Sequence, residues 1–121
     1  MSTKREDVRL DEEMEVIAHN VYNEDGVIIP SLQDFKLKIR NLSATGVAII
    51  CNREFKEKSS FFIELELGGE VLRLVPVIVR KTKSAGKEWV YGCKFMHLEV
   101  NEERIIRKYI FENELKRRKM R

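Results

Sequence analysis

A chain of 121 residues supplies one domain with a modest core, and with 43% of it apolar it can bury that core and is not a disordered tail. Its longest apolar runs, such as "VAIIC", are about five residues against the roughly 18 of a bilayer span, and its polar start is neither a signal nor a transit peptide, so the expected location is the cytoplasm. The net charge of +3 is uneven, with eight Lys/Arg and four Asp/Glu in residues 101–121 and fifteen and sixteen in the rest, which excludes a basic body laid against nucleic acid.

Residues 1–12 are almost entirely polar and lack apolar periodicity, which predicts an extended, mobile arm. "EMEVIAHNVYN" follows as a first strand, and "NEDGVIIPSLQ", broken by Asp25-Gly26 and Pro30, as a loop. "DFKLKIRN" alternates Phe35, Leu37 and Ile39 with Lys36, Lys38 and Arg40, the period of a strand with one wet face. "GVAIIC" is the next strand. "FFIELELGGEVLRLVPVIVRK" reads as a hairpin turning at Gly68-Gly69, with an edge or a bulge near Pro76, whose nitrogen has no hydrogen to donate. After the turn "KSAG", "KEWVYGCKFMHL" puts Trp89, Tyr91, Cys93 and Phe95 on one face of a last strand.

The period then changes. Asn101 is the expected helix cap, Glu102 and Glu103 suit the positive N-terminus, and Lys116 to Lys119 suit the negative C-terminus. Ile105, Ile106, Tyr109, Ile110 and Leu115 form an apolar stripe that packs on the strands or on a partner. About six short antiparallel strands and one terminal helix predict an all-β fold, a small barrel or sandwich. The expected organisation is an arm over 1–12, the β-domain over 13–98, and the helix with its basic tail over 99–121.

No catalytic set emerges: the serines lack accompanying His and Asp, there is no phosphate-binding glycine loop, and most carboxylates alternate with apolar residues as wet strand faces. An enzyme is not expected. His19 and His97 are isolated, which argues against a metal site, and Cys51 and Cys93 in apolar strands read as reduced, packed thiols.

Two polar clusters remain. In "REDVR", Arg5 and Arg9 stand four positions apart, roughly 13 Å in an extended chain, and two guanidinium forks at that distance can grip separate parts of one polyanion or stack on flat rings. Equally, they are a solvated charged terminus. In "NLSATG", Asn41 and Ser43 either hydrogen-bond the backbone of a turn in which Gly46 takes a positive φ, or present their polar groups outward where Gly46 lets a ligand approach.

Together, in this order, Arg5-x-x-x-Arg9 and Asn41-x-Ser43-x-x-Gly46 resemble the signature of PilZ domains. "WVYGCKF" looks like the strand that closes the PilZ barrel, and "ERIIRKYIFENELKRRK" is similar to the terminal helix of PilZ domains in flagellar-brake proteins. The resemblance covers nearly the whole chain. It implies a six-stranded antiparallel β-barrel that binds cyclic di-GMP, with the arm wrapping the ligand. Arg5 and Arg9 would meet phosphates and guanine faces or edges, Asn41 and Ser43 would hydrogen-bond a guanine, and Gly46 would give room and the turn. No cofactor beside this ligand is implied.

Two departures stand out. Position 41 is Asn where Asp is commoner, and an amide offers one acceptor atom where a carboxylate offers two. Lys4 stands where many members carry another Arg, keeping the charge but losing the planar fork. Brake proteins usually carry a preceding domain, which this chain does not present, so ligand binding carries over better than the brake role. The expected partners are cyclic di-GMP and an effector protein of the motor or of polysaccharide export, with self-association through the helix open. The alternatives are a PilZ-fold interaction module that binds no nucleotide and a small-barrel nucleic-acid binder using the basic tail.

Overall fold

The computed structural model describes residues 9–11, 13–30, 34–83 and 86–119, with side chains in the helix as far as Lys116. Strand β1 covers Arg9–Leu10, β2 Met14–Tyr22, β3 Phe35–Ser43, β4 Gly46–Cys51, β5 Ser60–Leu67, β6 Glu70–Leu74, β7 Pro76–Lys83 and β8 Trp89–Phe95, and helix α1 covers Val100–Lys119. All pairings are antiparallel, and the ring β3–β2–β5–β7–β8–β4 closes where β4 returns to β3. This is the expected six-stranded antiparallel β-barrel with a C-terminal α-helix.

Eight segments make six strands because two strands are interrupted. Leu10 pairs with Leu42 and Met14 with Ile39 on the same edge of β3, so β1 continues β2 after a one-residue offset. Most of the expected arm lies outside the described residues, and its Arg9–Leu10 part is ladder. Likewise Leu74 pairs with Ile63 and Val77 with Ser60 in one unbroken register, so β6 and β7 are one long strand that faces β5. The break falls at Val75-Pro76, where the proline ring removes a ladder donor. Gly68 (φ 60°) and Gly69 (φ 89°) turn that hairpin in the left-handed region, where a Cβ is costly.

Phe35, Leu37 and Ile39 point into the barrel and Lys36, Lys38 and Arg40 to solvent, as their alternation requires. Tyr91 and Cys93 are buried in β8, while Trp89 and Phe95 at its ends are only half buried. The buried Tyr91 hydroxyl donates to the Arg53 carbonyl at 2.8 Å and accepts from the Phe55 amide at 2.8 Å, which closes the loop after β4. Burial pushes its pKa up to about 12.

Helix α1 packs on β1, β3 and β5 and buries Ile106 and Ile110, with Ile105 and Tyr109 half covered. Leu115 does not belong to that stripe: it is exposed, with Phe111 and Val100 on the same outward side. The cap also differs from the expectation. The helix begins at Val100, and the Glu102 carboxylate accepts from the Glu99 amide at 3.0 Å, so Glu99 is the cap. Asn101 lies inside the first turn, where its side chain accepts from Arg104. The solvent-exposed Val100 hides the boundary, because its apolar side chain reads as the end of the preceding strand.

Candidate functional site

The turn between β3 and β4 is built by a serine and a glycine. The Ser43 hydroxyl donates to the Gly46 carbonyl at 3.2 Å and accepts from the Gly46 amide at 3.1 Å. A hydroxyl has two acceptor lone pairs, so Ser43 keeps one acceptor position for another donor. Gly46 does not take the positive φ that a turn glycine suggests. Its reason is contact: a Cβ there would lie 2.3 Å from the Cys93 carbonyl oxygen of β8. The neighbouring Thr45 carbonyl accepts from the Phe95 amide at 2.9 Å, so the turn is bound to β8 on the far side of β4.

Arg9 lies directly opposite Ser43 in the β1–β3 ladder. Its neighbour Leu10 is 1% exposed, packed in the core opposite Leu42. Burying such a side chain contributes about 1.5–3 kcal/mol, so one apolar residue holds the exposed arginine in register.

Asn41 reaches the outer face through a bulge. Ile39 pairs with Ile49 but Asn41 with Ala48, which leaves Arg40 as the extra residue. A strand alternates its faces, so without that residue Asn41 would follow Ile39 into the core. The bulge sends Leu42 inward instead and leaves Asn41 half buried on the outside. Among the described residues its amide has no hydrogen-bond partner.

A second bulge mirrors the first. Ile78 pairs with Cys93 but Arg80 with Gly92, which leaves Val79 as the extra residue of β7 and turns Arg80 outward. The ladders then align Asn41, Ala48, Gly92 and Arg80 in one row across β3, β4, β8 and β7. Three strand spacings put its ends on the order of 14 Å apart. The polar ends flank a floor of the two smallest side chains. Arg9 and Lys94 complete a recess of about 130 Å³ that also takes in Ser43, Thr45 and Gly46.

Among the described residues the recess is lined by cations and by no carboxylate. Among the described residues none of Arg9, Arg80 and Lys94 has an ion-pair partner. The Cys93 thiol sits on the inner side of the same wall, and burial pushes its pKa up to about 12. Burial also raises Cys51, the larger effect against a hydrogen bond from the Arg53 amide that lowers it. Neutral, buried thiols are poor nucleophiles, and both cysteines are free. Among the described residues no three His, Cys, Asp or Glu side chains cluster to hold a metal ion, and no helix is long and apolar enough to cross a membrane.

The structure thus brings Arg9, Asn41, Ser43 and Gly46 together, while Lys4 and Arg5 lie outside the described residues. Sequence reasoning missed Arg80 and Lys94, whose places depend on how the sheet closes. The signal for them was Gly92, since a glycine inside a strand marks a close approach.

A family model described as "PilZ domain" matches residues 3–112. The search of curated proteins gives no match. Among solved structures, the fold is similar to Escherichia coli YcgR in complex with c-di-GMP (TM-score 0.75, 16% identity, 97% of this chain and 49% of that one). It is similar to the Bacillus subtilis inhibitor of motility MotI/DgrA (TM-score 0.68, 16% identity, 97% and 54%). It is also similar to the isolated PilZ domain of E. coli YcgR with c-di-GMP (TM-score 0.65, 16% identity, 98% and 97%). The chain spans about half the length of the first two.

Proposed function

The chain belongs to the PilZ domain family, and from that premise we propose that it is a receptor for cyclic di-GMP that catalyses nothing and passes the ligand's presence to a partner protein. One observation carries the reading: Arg9, distant in sequence from Asn41 and Ser43, meets them at one recess whose cations have no ion-pair partner among the described residues. The YcgR structures solved with c-di-GMP support the choice of ligand.

The recess suggests how binding works. Arg9 offers a planar fork to a phosphate, a charge-assisted contact of the stronger kind. Asn41 offers a guanine edge one acceptor, and Ser43 offers its remaining lone pair. Gly46 acts indirectly, by letting β4 lie close to β8 so that the floor is flat. A volume of about 130 Å³ is well below the roughly 300–1,000 Å³ of pockets that enclose small ligands. A dinucleotide seated there keeps one side open, and the arm with Lys4 and Arg5 is the segment that covers it. Ordering the arm changes the surface around the recess, and a partner reads that change. The motility inhibitor among the similar structures makes the flagellar motor one partner to test, with polysaccharide export machinery as the other.

Calorimetric titration with cyclic di-GMP tests the reading. The Arg9→Ala protein should lose at least one charge-assisted contact, on the order of 1.5–3 kcal/mol or tenfold and more in affinity. Equal binding by Arg9→Ala and the unaltered protein would sink the assignment of the recess. Absence of binding by the unaltered protein at high ligand concentration would point to an interaction module that binds no nucleotide.

A further inference from the structure

Arg80 rests on Gly92 in a way that a free surface arginine has no reason to adopt. A Cβ placed on Gly92 would lie 3.0 Å from Nη2, 3.3 Å from Cζ and 3.4 Å from Nε of Arg80. Three atoms of one guanidinium at nearly equal distance from that point put a face of the group, and not a single nitrogen, against Gly92. The absent side chain of Gly92 makes the space, and the Val79 bulge aims Arg80 at it. No ion pair among the described residues draws Arg80 there. With one face on the backbone, the guanidinium presents the other face to solvent, at the end of the row opposite Asn41.

A planar cation held this way binds the face of a flat ring, whereas its edge would be needed for a bidentate grip on phosphate. We propose that Arg80 is a ligand-binding residue of this recess and that it stacks on a purine ring of the bound nucleotide. Gly92 is the seat that keeps it flat. The inference rests on the cyclic di-GMP reading and adds to it a second recognition wall, across β3, β4 and β8 from Arg9. Asn41 then reads the edge of a base from one end of the row, and Arg80 covers the face of a base from the other.

The test is a set of calorimetric titrations with cyclic di-GMP on the unaltered protein, Arg80→Ala and Arg80→Lys. Thermal melts will check folding, which an exposed residue without an ion pair should leave unchanged. Arg80→Ala should weaken binding about tenfold, and Arg80→Lys should weaken it nearly as much, because lysine keeps the charge without the plane. The ultraviolet hypochromism of the bound guanine should shrink in both. Full rescue by lysine would overturn the stacking role and leave only a charge. If the unaltered protein binds and Arg80→Ala binds as well, this inference alone falls. If the unaltered protein does not bind, the receptor reading falls and takes this one with it.

Discussion

Two outer faces of the barrel both carry charges and use them differently. On the β5–β6 side, Arg73 lies 2.9 Å from Glu64 on the neighbouring strand, and His19 lies 2.9 Å from Asp34. Beyond its rim, Lys58 meets Glu24 at 3.6 Å and Lys81 meets Glu54 at 2.8 Å. On the other side, Arg9, Arg80 and Lys94 surround a recess with no acid among the described residues. Exposed pairs contribute about 0.2–1 kcal/mol each, so the first pattern is worth little to the fold. The second is mildly repulsive, and folding alone gives no reason for it. Such a cluster on a floor of small residues fits the proposed anionic ligand, since no acid among the described residues answers it.

The sharpest way to break that contrast is to disturb the floor. In Gly46→Ala the new methyl would meet the Cys93 carbonyl, a backbone group that cannot swing aside as a side chain does, so β4 and β8 must separate. Overpacking of this kind costs about 1–3 kcal/mol, and Tm should fall by several degrees with ligand affinity falling beside it. An unchanged melt would show that the close approach of the two strands is not what the glycine serves. A milder change puts an acid into the recess. Ala48→Glu sets a carboxylate at the centre of the row, between Asn41 and Gly92. Affinity for cyclic di-GMP should drop at least tenfold, about 1.4 kcal/mol, while Tm stays level or rises slightly through new surface pairs. The neutral Ala48→Gln should bind better than Ala48→Glu. Equal loss in both would mean that bulk, not charge, governs the recess.

How much of this was legible in the sequence differs between the same two faces. The β5–β6 hairpin could be read almost residue by residue, because Gly68-Gly69 marks the turn and Phe61, Ile63, Leu65 and Leu67 keep strict alternation. On the recess side Asn41, Ser43 and Gly46 were legible as a motif, but their geometry was not. The alternation that places Phe35, Leu37 and Ile39 inward also sends Asn41 inward, and only the extra residue Arg40 reverses it. Leu42, apolar and out of phase, was the trace of that bulge. Arg80 could not be found this way. It reaches the recess through pairing with β8, some forty positions along the chain from Asn41, and pairings between distant strands leave no local period.

The two cysteines sharpen the contrast from the inside, since both lie on β4 and β8, the wall beneath the recess. Burial raises Cys93 from an ordinary value of 9.0 to about 12. Its neutral form is therefore favoured in the folded state. That stability is fully present below about pH 9, where folded and unfolded chains both keep the proton, and is lost between about 9 and 12 as the unfolded chain alone gives it up. At pH 10, one unit above the unfolded value, the loss is on the order of 1 kcal/mol. Tyr91, raised from 10.0 to about 12, adds to it at higher pH. Urea melts at pH 8 and pH 10 should show the fall, and Cys93→Ala, though less stable at pH 8, should lose less between the two. Amide exchange should quicken first in β4 and β8. Uniform quickening across β5 and β6 would count against a local cause.

The smallest expected effect is the one that tests the premise of the comparison. Arg73→Ala removes the cation of the pair with Glu64, both well exposed. If surface pairing on that side carries no function, stability should change by less than about 0.5 kcal/mol. Affinity for cyclic di-GMP should stay within twofold, against tenfold or more for Arg9→Ala. Both substitutions remove one arginine from the same barrel and lower the net charge equally, so general attraction of an anion to a basic protein would weaken both alike. Only a built recess separates them. If Arg73→Ala weakened binding as much as Arg9→Ala, the unpaired cations would be one part of a diffuse field, and their grouping around Ala48 and Gly92 would lose its meaning.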